Sequence, residues 1–254
     1  MQFAIYPSLR ERAVFISGGA SGIGASIVEH FAAQGSRVAF VDVDDAAAAK
    51  TVAAIRTAGH AEPFYQRCDL RDIAALKAAI AAARARIGPI AVLVNNAARD
   101  DRHTVDEVTP EYFDERIAVN FRHHVFAAQA VLPDMRAARA GSIINFGSIS
   151  WMTKNPKLSV YQAAKAATWG FTRGLARDVG PEGIRVNCVV PGWIMTERQL
   201  ALWLTPDSEA ELMRSQCLKE KLFPPDIARM VLWLAADDSR LVTAQQFIVD
   251  GGWF

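Results

Sequence analysis

The chain has 254 residues, 51% of them hydrophobic, with 28 basic residues against 27 acidic ones and a formal net charge of +1. That length suits one large α/β domain, and the near-neutral balance excludes any electrostatic bias toward nucleic acid or an anionic membrane, so a small molecule is the expected partner. The opening MQFAIYPSLRERAVF lacks the basic region, long apolar run and small-residue cleavage site of a signal peptide, and no segment keeps about 18 uncharged apolar residues together; a cytoplasmic protein is expected.

In chain order, Ala13 to Ser17, Arg37 to Val41, Ile90 to Val94, Ser142 to Phe146, Ile184 to Val190 and Gln246 to Val249 read as buried strands, with alanine-rich amphipathic stretches between them as helices. Strands that are apolar throughout, rather than at alternate positions, call for a parallel sheet covered on both faces. The expected fold is therefore a doubly wound α/β sheet. No linker and no internal repeat divides the chain, so a single domain over 1–254 is expected. The stretch 192–223, with Trp193, Met195, Trp203 and Met213, fits the alternation poorly and reads either as a lid over a site or as an amphipathic helix pair packed on the core. Cys68, Cys188 and Cys217 lack Cys-x-x-Cys spacing and read as buried reduced thiols. His123 and His124, adjacent on a helix, point in different directions with no carboxylate at ligand spacing; they read as core or subunit-interface packing, and no metal is expected.

Ser17-Gly18-Gly19-Ala20-Ser21-Gly22-Ile23-Gly24 follows the first strand and opens a helix. Glycines there let the backbone turn tightly and approach a pyrophosphate, whose charge the helix start favours; a purely structural turn is the alternative. Asp42 closes the second strand about 20 positions further on, where a carboxylate accepts hydrogen bonds from an adenosine ribose and repels a 2′-phosphate. No Lys or Arg lies within the loop. The cofactor expected is NAD, with Arg37 and Lys50 read as solvated surface charges.

Tyr161 and Lys165 stand four residues apart at the start of a long helical stretch and so share one face. A phenol with a pKa of about 10 is a poor base at neutral pH, but an adjacent ammonium and a cationic nicotinamide favour its phenolate, which then removes a hydroxyl proton as hydride leaves the same carbon. Ser148, 13 positions before Tyr161, ends a strand where it can hold the substrate oxygen, with Ser150 as the alternative. Asn120 reads either as the holder of a water beside Lys165 or as an asparagine tying two elements together.

The glycine loop, Asn95-Asn96-Ala97, Asn120, Ser148, Tyr161 with Lys165, and Pro191-Gly192 occur in the order that resembles short-chain dehydrogenase/reductases, and the likeness spans essentially the whole chain. It implies a Rossmann fold and cofactor binding by Gly18, Ser21, Gly22, Ile23, Gly24 and Asp42, with adenine contact at Asp69. It further implies a nicotinamide-side wall at Asn96 and Ala97, contacts from Tyr161 and Lys165, and a closing stretch at Pro191, Gly192, Ile194 and Thr196. Ala98 departs from the glycine usual there. A homotetramer is also implied, through the long helices and the C-terminal segment.

Longer strings, among them Ala4 to Leu9, Asn95 to His103, Asn145 to Trp151 and Gln216 to Lys219, resemble bacterial NAD-dependent aldose 1-dehydrogenases of the D-xylose type. A polyol needs convergent donors and acceptors, which Arg99, Asp100, Asp101, Arg102 and His103 offer just after the fourth strand, while Trp151 and Trp193 offer apolar surface to a sugar ring. The leading expectation is oxidation of a pentose or 6-deoxyhexose at C1 to its lactone. Oxidation of a secondary hydroxyl in a 2-keto-3-deoxy sugar acid, with Arg99 or Arg102 on the carboxylate, is the enzymatic alternative, and a non-catalytic dinucleotide sensor is the alternative of another class.

Overall fold

The computed structural model describes residues 3–254. Strands β1 (Ala13–Ser17), β2 (Arg37–Asp42), β3 (Phe64–Arg67), β4 (Val92–Asn95), β5 (Gly141–Phe146), β6 (Ile184–Pro191) and β7 (Gln246–Val249) form one parallel sheet in the order β3-β2-β1-β4-β5-β6-β7. The helices are α1 (Gly22–Ala33), α2 (Asp45–Thr57), α3 (Ile73–Ile87), α4 (Pro110–Ile117), α5 (His123–Ala138), α6 (Ser159–Val179), α7 (Glu197–Leu202), α8 (Pro206–Ser215) and α9 (Pro224–Ala235).

Alternate strand residues go to opposite faces, and both faces are buried. Val14, Ile16, Val38, Phe40, Val94 and Ile144 pack with Ile27 and Phe31 of α1 and Ile227 and Val231 of α9. Ala13, Phe15, Ala39, Val41, Leu93 and Ile143 pack with Leu76 and Ile80 of α3 and Val131 and Met135 of α5. Each large side chain removed from water in this way contributes about 1.5–3 kcal/mol, so the two layers hold the sheet from both sides. The continuous apolar runs of the sequence are the result.

The sequence reading has no counterpart to β3. Its residues, Phe-Tyr-Gln-Arg, are partly exposed and pair on one side only, with β2, so an edge strand carries neither an apolar run nor a full alternation. The 192–223 segment is a helix pair, α7 and α8, yet it does not pack on the core: α7 has no buried residue and α8 buries Leu212. Cys68 and Cys188 are buried as expected, whereas Cys217 is exposed beside Gly252. No helix of the described residues is long and apolar enough to cross a membrane.

Strand order reverses between β1 and β4, which leads the chain away to opposite sides and opens a crevice at their carboxyl ends. Ser17 stands opposite Asn95 in register at that point, so the residues that follow each strand face one another across the opening. Close approach there requires glycine. A Cβ on Gly24 would lie 1.7 Å from the Gly18 carbonyl oxygen and 2.7 Å from Asn96 Nδ2. Gly24→Ala must displace backbone, and we expect it to lower the unfolding free energy by more than about 2 kcal/mol in urea denaturation; an unchanged midpoint would contradict the close approach.

Candidate functional site

A cavity of about 1140 Å³ occupies the crevice, lined on one side by Gly18, Ser21, Gly22, Ile23, Gly24 and Asp42. Gly18 and Gly22 take φ of 69° and 54°, the left-handed region where a side chain is strained. Ser21 caps α1 without a side-chain hydrogen bond, so the amides of the first turn face the cavity with no side chain upon them, a cradle suited to a phosphate. Asp42 is fixed by three amides: Oδ2 accepts from Ala20 N–H at 3.0 Å, and Oδ1 from Val43 and Asp44 N–H at 2.7 and 3.2 Å. Asn96 Nδ2 donates to the carbonyls of Ser17 (3.1 Å) and Gly18 (2.9 Å), while Ser17 Oγ accepts from the amides of Asn96 and Ala97. Side chains thus lock the two strand ends together.

Asp69, Asn96, Ala97, Pro191, Gly192, Ile194 and Thr196 line the same cavity, and the methyl of Thr196 lies 3.1 Å from the position of a Cβ on Gly22. The segment after β6 therefore crosses over the phosphate loop. Asp69 is held by Arg71 at 2.6 Å, and this hydrogen bond keeps its carboxyl below the usual range. Lys50, read from the sequence as a surface charge, is exposed and also lines the cavity.

At the far end the cavity reaches Ser148, Tyr161 and Lys165. Lys165 is 1% exposed; its Nζ donates to the Phe146 carbonyl at 2.9 Å and lies 5.6 Å from the Tyr161 ring centroid. Burial pulls the ammonium down to about 8, with Cys188 and Asp100 opposing the shift. Burial and then the Asp100 charge push the Tyr161 phenol up, against a hydrogen bond from Ser148 and the charge of Arg102. In a cavity without added positive charge the phenol is therefore protonated. Ser148 Oγ donates to Ser150 Oγ at 3.0 Å and accepts from Ser150 N–H at 3.2 Å, so the two serines act as one unit. Asn120 lies outside the cavity lining, in a π-helical turn over Ala118–Arg122 between α4 and α5. Its Oδ1 accepts from Arg99 N–H at 2.8 Å and its Nδ2 donates to the Arg116 carbonyl at 3.0 Å, so the side chain ties elements together.

The loop after β4 divides. Arg99, Asp100 and Arg102 line the cavity with Ser150 and Trp193. His103 does not: it is 5% exposed and turned inward, with Nδ1 2.9 Å from Tyr112 Oη and Nε2 accepting from Val160 N–H at 3.3 Å. Trp151 lies outside the lining as well, with its Nε1 buried and unpartnered among the described residues.

Residues that the sequence did not mark complete this end. Trp193 Nε1 donates to Gln199 Oε1 at 2.9 Å, and Gln199 Nε2 donates to Asp100 Oδ2 at 2.9 Å. Arg198 donates to Asp101 Oδ1 at 2.8 Å, while Arg102 lies over the Trp203 ring at 4.9 Å. Burial alone would raise the Asp101 carboxyl, but Arg99, Arg116 and Arg198 outweigh it and hold it below its ordinary range. Helix α7 is thereby clamped to the loop after β4. Only the tryptophans of the 192–223 stretch gave a signal; Arg198 and Gln199 carry no motif.

Beneath this wall, His123 and His124 are each 0% exposed, with ring centroids 4.4 Å apart and planes at 80°. Their rings converge, contrary to the expectation that they diverge. His123 Nε2 lies 3.2 Å from the Ala97 carbonyl oxygen, whereas His123 Nδ1 and both ring nitrogens of His124 have no partner among the described residues. Burial, then the nearby Lys165, pulls His123 down to about 3, and burial likewise holds His124 well below the usual histidine range. Both are neutral. A buried polar atom left unpaired costs about 1–3 kcal/mol, so this pair weakens the fold.

A family model described as enoyl-(acyl carrier protein) reductase matches residues 18–254. The chain is 47% identical over 253 residues to the D-xylose 1-dehydrogenase of Caulobacter vibrioides, covering 100% of each. It is 46% identical over 249 residues to a protein named as a probable galactose dehydrogenase in Rhizobium meliloti, covering 98% of this chain and 97% of that one. Among solved structures, a 3-oxoacyl-[acyl-carrier protein] reductase from Brucella melitensis matches with a TM-score of 0.90 at 31% identity, covering 100% of this chain and 98% of that one. A blue fluorescent protein from a metagenomic library, solved with NADPH, matches with a TM-score of 0.88 at 34% identity, covering 97% and 99%. Likeness along the full chain, on a sheet of this order with this glycine cradle, makes the protein a member of the short-chain dehydrogenase/reductase family.

Proposed function

We propose that the protein oxidises an aldose at C1 to the sugar lactone with NAD as hydride acceptor. The observation that carries this reading is the meeting, in one cavity, of Ser148, Tyr161 and Lys165 with Asp100, the cavity-lining end of a polar chain through Gln199 to Trp193. The named activities of the Caulobacter and Rhizobium relatives support the substrate class.

Nicotinamide dinucleotide supplies a hydride acceptor and a cationic ring when bound. Ser148 Oγ holds the C1 oxygen, supported by Ser150. Tyr161 Oη takes the C1 hydroxyl proton while hydride leaves C1, and the carbon–oxygen double bond of the lactone forms. Lys165, fixed on the Phe146 carbonyl, favours the phenolate against the burial that opposes it. Asp100 and Gln199 receive the remaining hydroxyls, and Trp193 and Trp203 face the carbon skeleton. Helix α7 serves as the lid, latched by Arg198 on Asp101. A sugar acid would need Arg99 or Arg102 for its carboxylate, but Arg99 is already held by Asp101 at 3.1 Å and Arg102 lies over the Trp203 ring at 4.9 Å. A sensor without catalysis has no need of Ser148, Tyr161 and Lys165 together.

NAD is preferred because Asp42, anchored by three amides, cannot swing away from a 2′-phosphate. Following NADH formation over pentoses, hexoses, 6-deoxyhexoses and keto-deoxy acids, we expect turnover of aldoses, and activity confined to the acids would overturn the C1 reading. Tyr161→Phe should lower kcat by at least about 10³-fold with NADH binding retained. Asp42→Ala should move the NADP/NAD ratio of kcat/KM upward by at least about tenfold; a wild-type enzyme that already runs equally well with NADP would sink the assignment.

Lysine burial also has a signature in stability. With a folded pKa of about 8 against an ordinary 10.5, Lys165 is charged in both states below about pH 8, and the folded state then bears the full desolvation penalty. Above pH 10.5 both states are neutral and the penalty is gone. Lys165→Met should therefore be inactive yet more stable than wild type by about 1–3 kcal/mol at neutral pH, an advantage that shrinks as pH rises through that window in parallel urea titrations.

A further inference from the structure

Two buried ionisable side chains, His123 and His124, take no part in the chemistry above. Packing alone does not account for them, since phenylalanine would fill the same space without leaving ring nitrogens unpaired. One ring nitrogen is aimed at a specific atom of the cavity wall: His123 Nε2 lies 3.2 Å from the carbonyl oxygen of Ala97. A carbonyl only accepts, so Nε2 carries the hydrogen and the ring donates it.

Ala97 lines the cavity directly after Asn96, and every side of it is held. Its amide donates to Ser17 Oγ at 3.2 Å, its Cα lies 2.8 Å from where a Cβ on Gly18 would stand, and its carbonyl is taken by His123. Two positions on, the Arg99 amide is held by Asn120 Oδ1 at 2.8 Å. Asn120 and His123 are three residues apart at the π-helical turn, and both reach the same short loop. This local change of helix geometry thus serves to pin the wall between the phosphate loop and Tyr161. An aliphatic side chain would abandon the carbonyl, and a cationic one would stand against Lys165 in a site that must also accept a positive ring.

We propose that His123 is a positioning residue for hydride transfer, its neutral ring donating to the Ala97 carbonyl to fix the nicotinamide-side wall of the cavity. The proposal rests on reading the cavity as a dinucleotide site, and it gives His123 a role that packing does not.

The test compares His123→Phe and His123→Gln with wild type by steady-state kinetics on an aldose with NAD, by NADH fluorescence titration and by thermal melting. His123→Phe removes the donor and keeps the packing: it should melt within about 3 °C of wild type or higher, bind NADH within about threefold, and lose at least about tenfold in kcat. His123→Gln, which can return an N–H to the carbonyl, should recover most of that loss. Wild-type kcat in His123→Phe overturns the proposal, as does a kcat loss that tracks a lower melting temperature and is not recovered by glutamine. If the wild-type protein itself binds no NADH, the dinucleotide reading fails first, and that result is visible before any variant is made.

Discussion

A lysine 1% exposed at the carboxyl end of the sheet, hydrogen-bonded at 2.9 Å to the Phe146 carbonyl, is the constraint on which the rest of this site depends. That bond joins α6 to the last residue of β5 and leaves Tyr161, one turn earlier on the same helix, at a fixed height over the crevice. Ser148 follows two residues after Phe146, so one strand end carries both the lysine's acceptor and the serine that faces the tyrosine. The positions of Ser148, Tyr161 and Lys165 are then set by a single strand–helix contact. The sheet supplies the rigidity: β5 is an interior strand, paired on both sides and buried from Ser142 to Phe146.

The parts of this arrangement that the sequence makes legible are those where one residue type alone satisfies the physics. Gly24 is legible because only a missing Cβ allows α1 to meet the Gly18 carbonyl, and Asp42 because it terminates an apolar strand at a fixed distance beyond the glycines. Tyr161 and Lys165 are legible because helical spacing puts both on one face. β3 is not, because an edge strand of four partly exposed residues has no buried face to pattern it. Side-chain direction in a loop is equally illegible: Arg99, Asp100 and Arg102 face the cavity while His103, next in line, turns in to Tyr112 and Val160. Nothing in composition or spacing separates these neighbours. Gln199 is harder still, since its role exists only through Trp193, six residues earlier, and Asp100, which is brought to it from the loop after β4.

A net charge of +1 conceals a strongly organised local field. From the end of the cavity at Asp69 to helix α7 runs an alternating series: Asp69, Arg71, Glu115, Arg116, Asp101 and Arg198. Most of these groups are partly exposed, where an isolated pair contributes little to stability. Their effect here is geometric. Asp101 draws on Arg99, Arg116 and Arg198 together, so the loop after β4, helix α4 and helix α7 share one anchor, and a shift at α7 is felt at Arg99. Asp100, beside it, is left with a neutral amide from Gln199 at 2.9 Å and a longer approach from Arg198 at 3.6 Å, and keeps acceptor capacity for hydroxyl donors.

Lys165, His123 and His124 also share an energetic sign: burial disfavours the charged form of each, and both ring nitrogens of His124 lack a partner among the described residues. Proteins retain such residues where geometry matters more than free energy. The two apolar layers, with Phe15, Phe31 and Phe40 fully buried, supply a stability margin for these charged and unpaired groups. A further observation separates Lys165 from the buried polar residues that hold the site together. Asn95, Asn145 and Thr172 are as buried as Lys165, and Asn95 Nδ2 donates to Asn145 Oδ1 at 2.9 Å and Asn145 Nδ2 to Thr172 Oγ1 at 3.0 Å, so that chain ties β4, β5 and α6 together away from the cavity. Burial is common to the frame of this site and to Lys165, and what distinguishes them is that Lys165 reaches the cavity while Asn95, Asn145 and Thr172 do not.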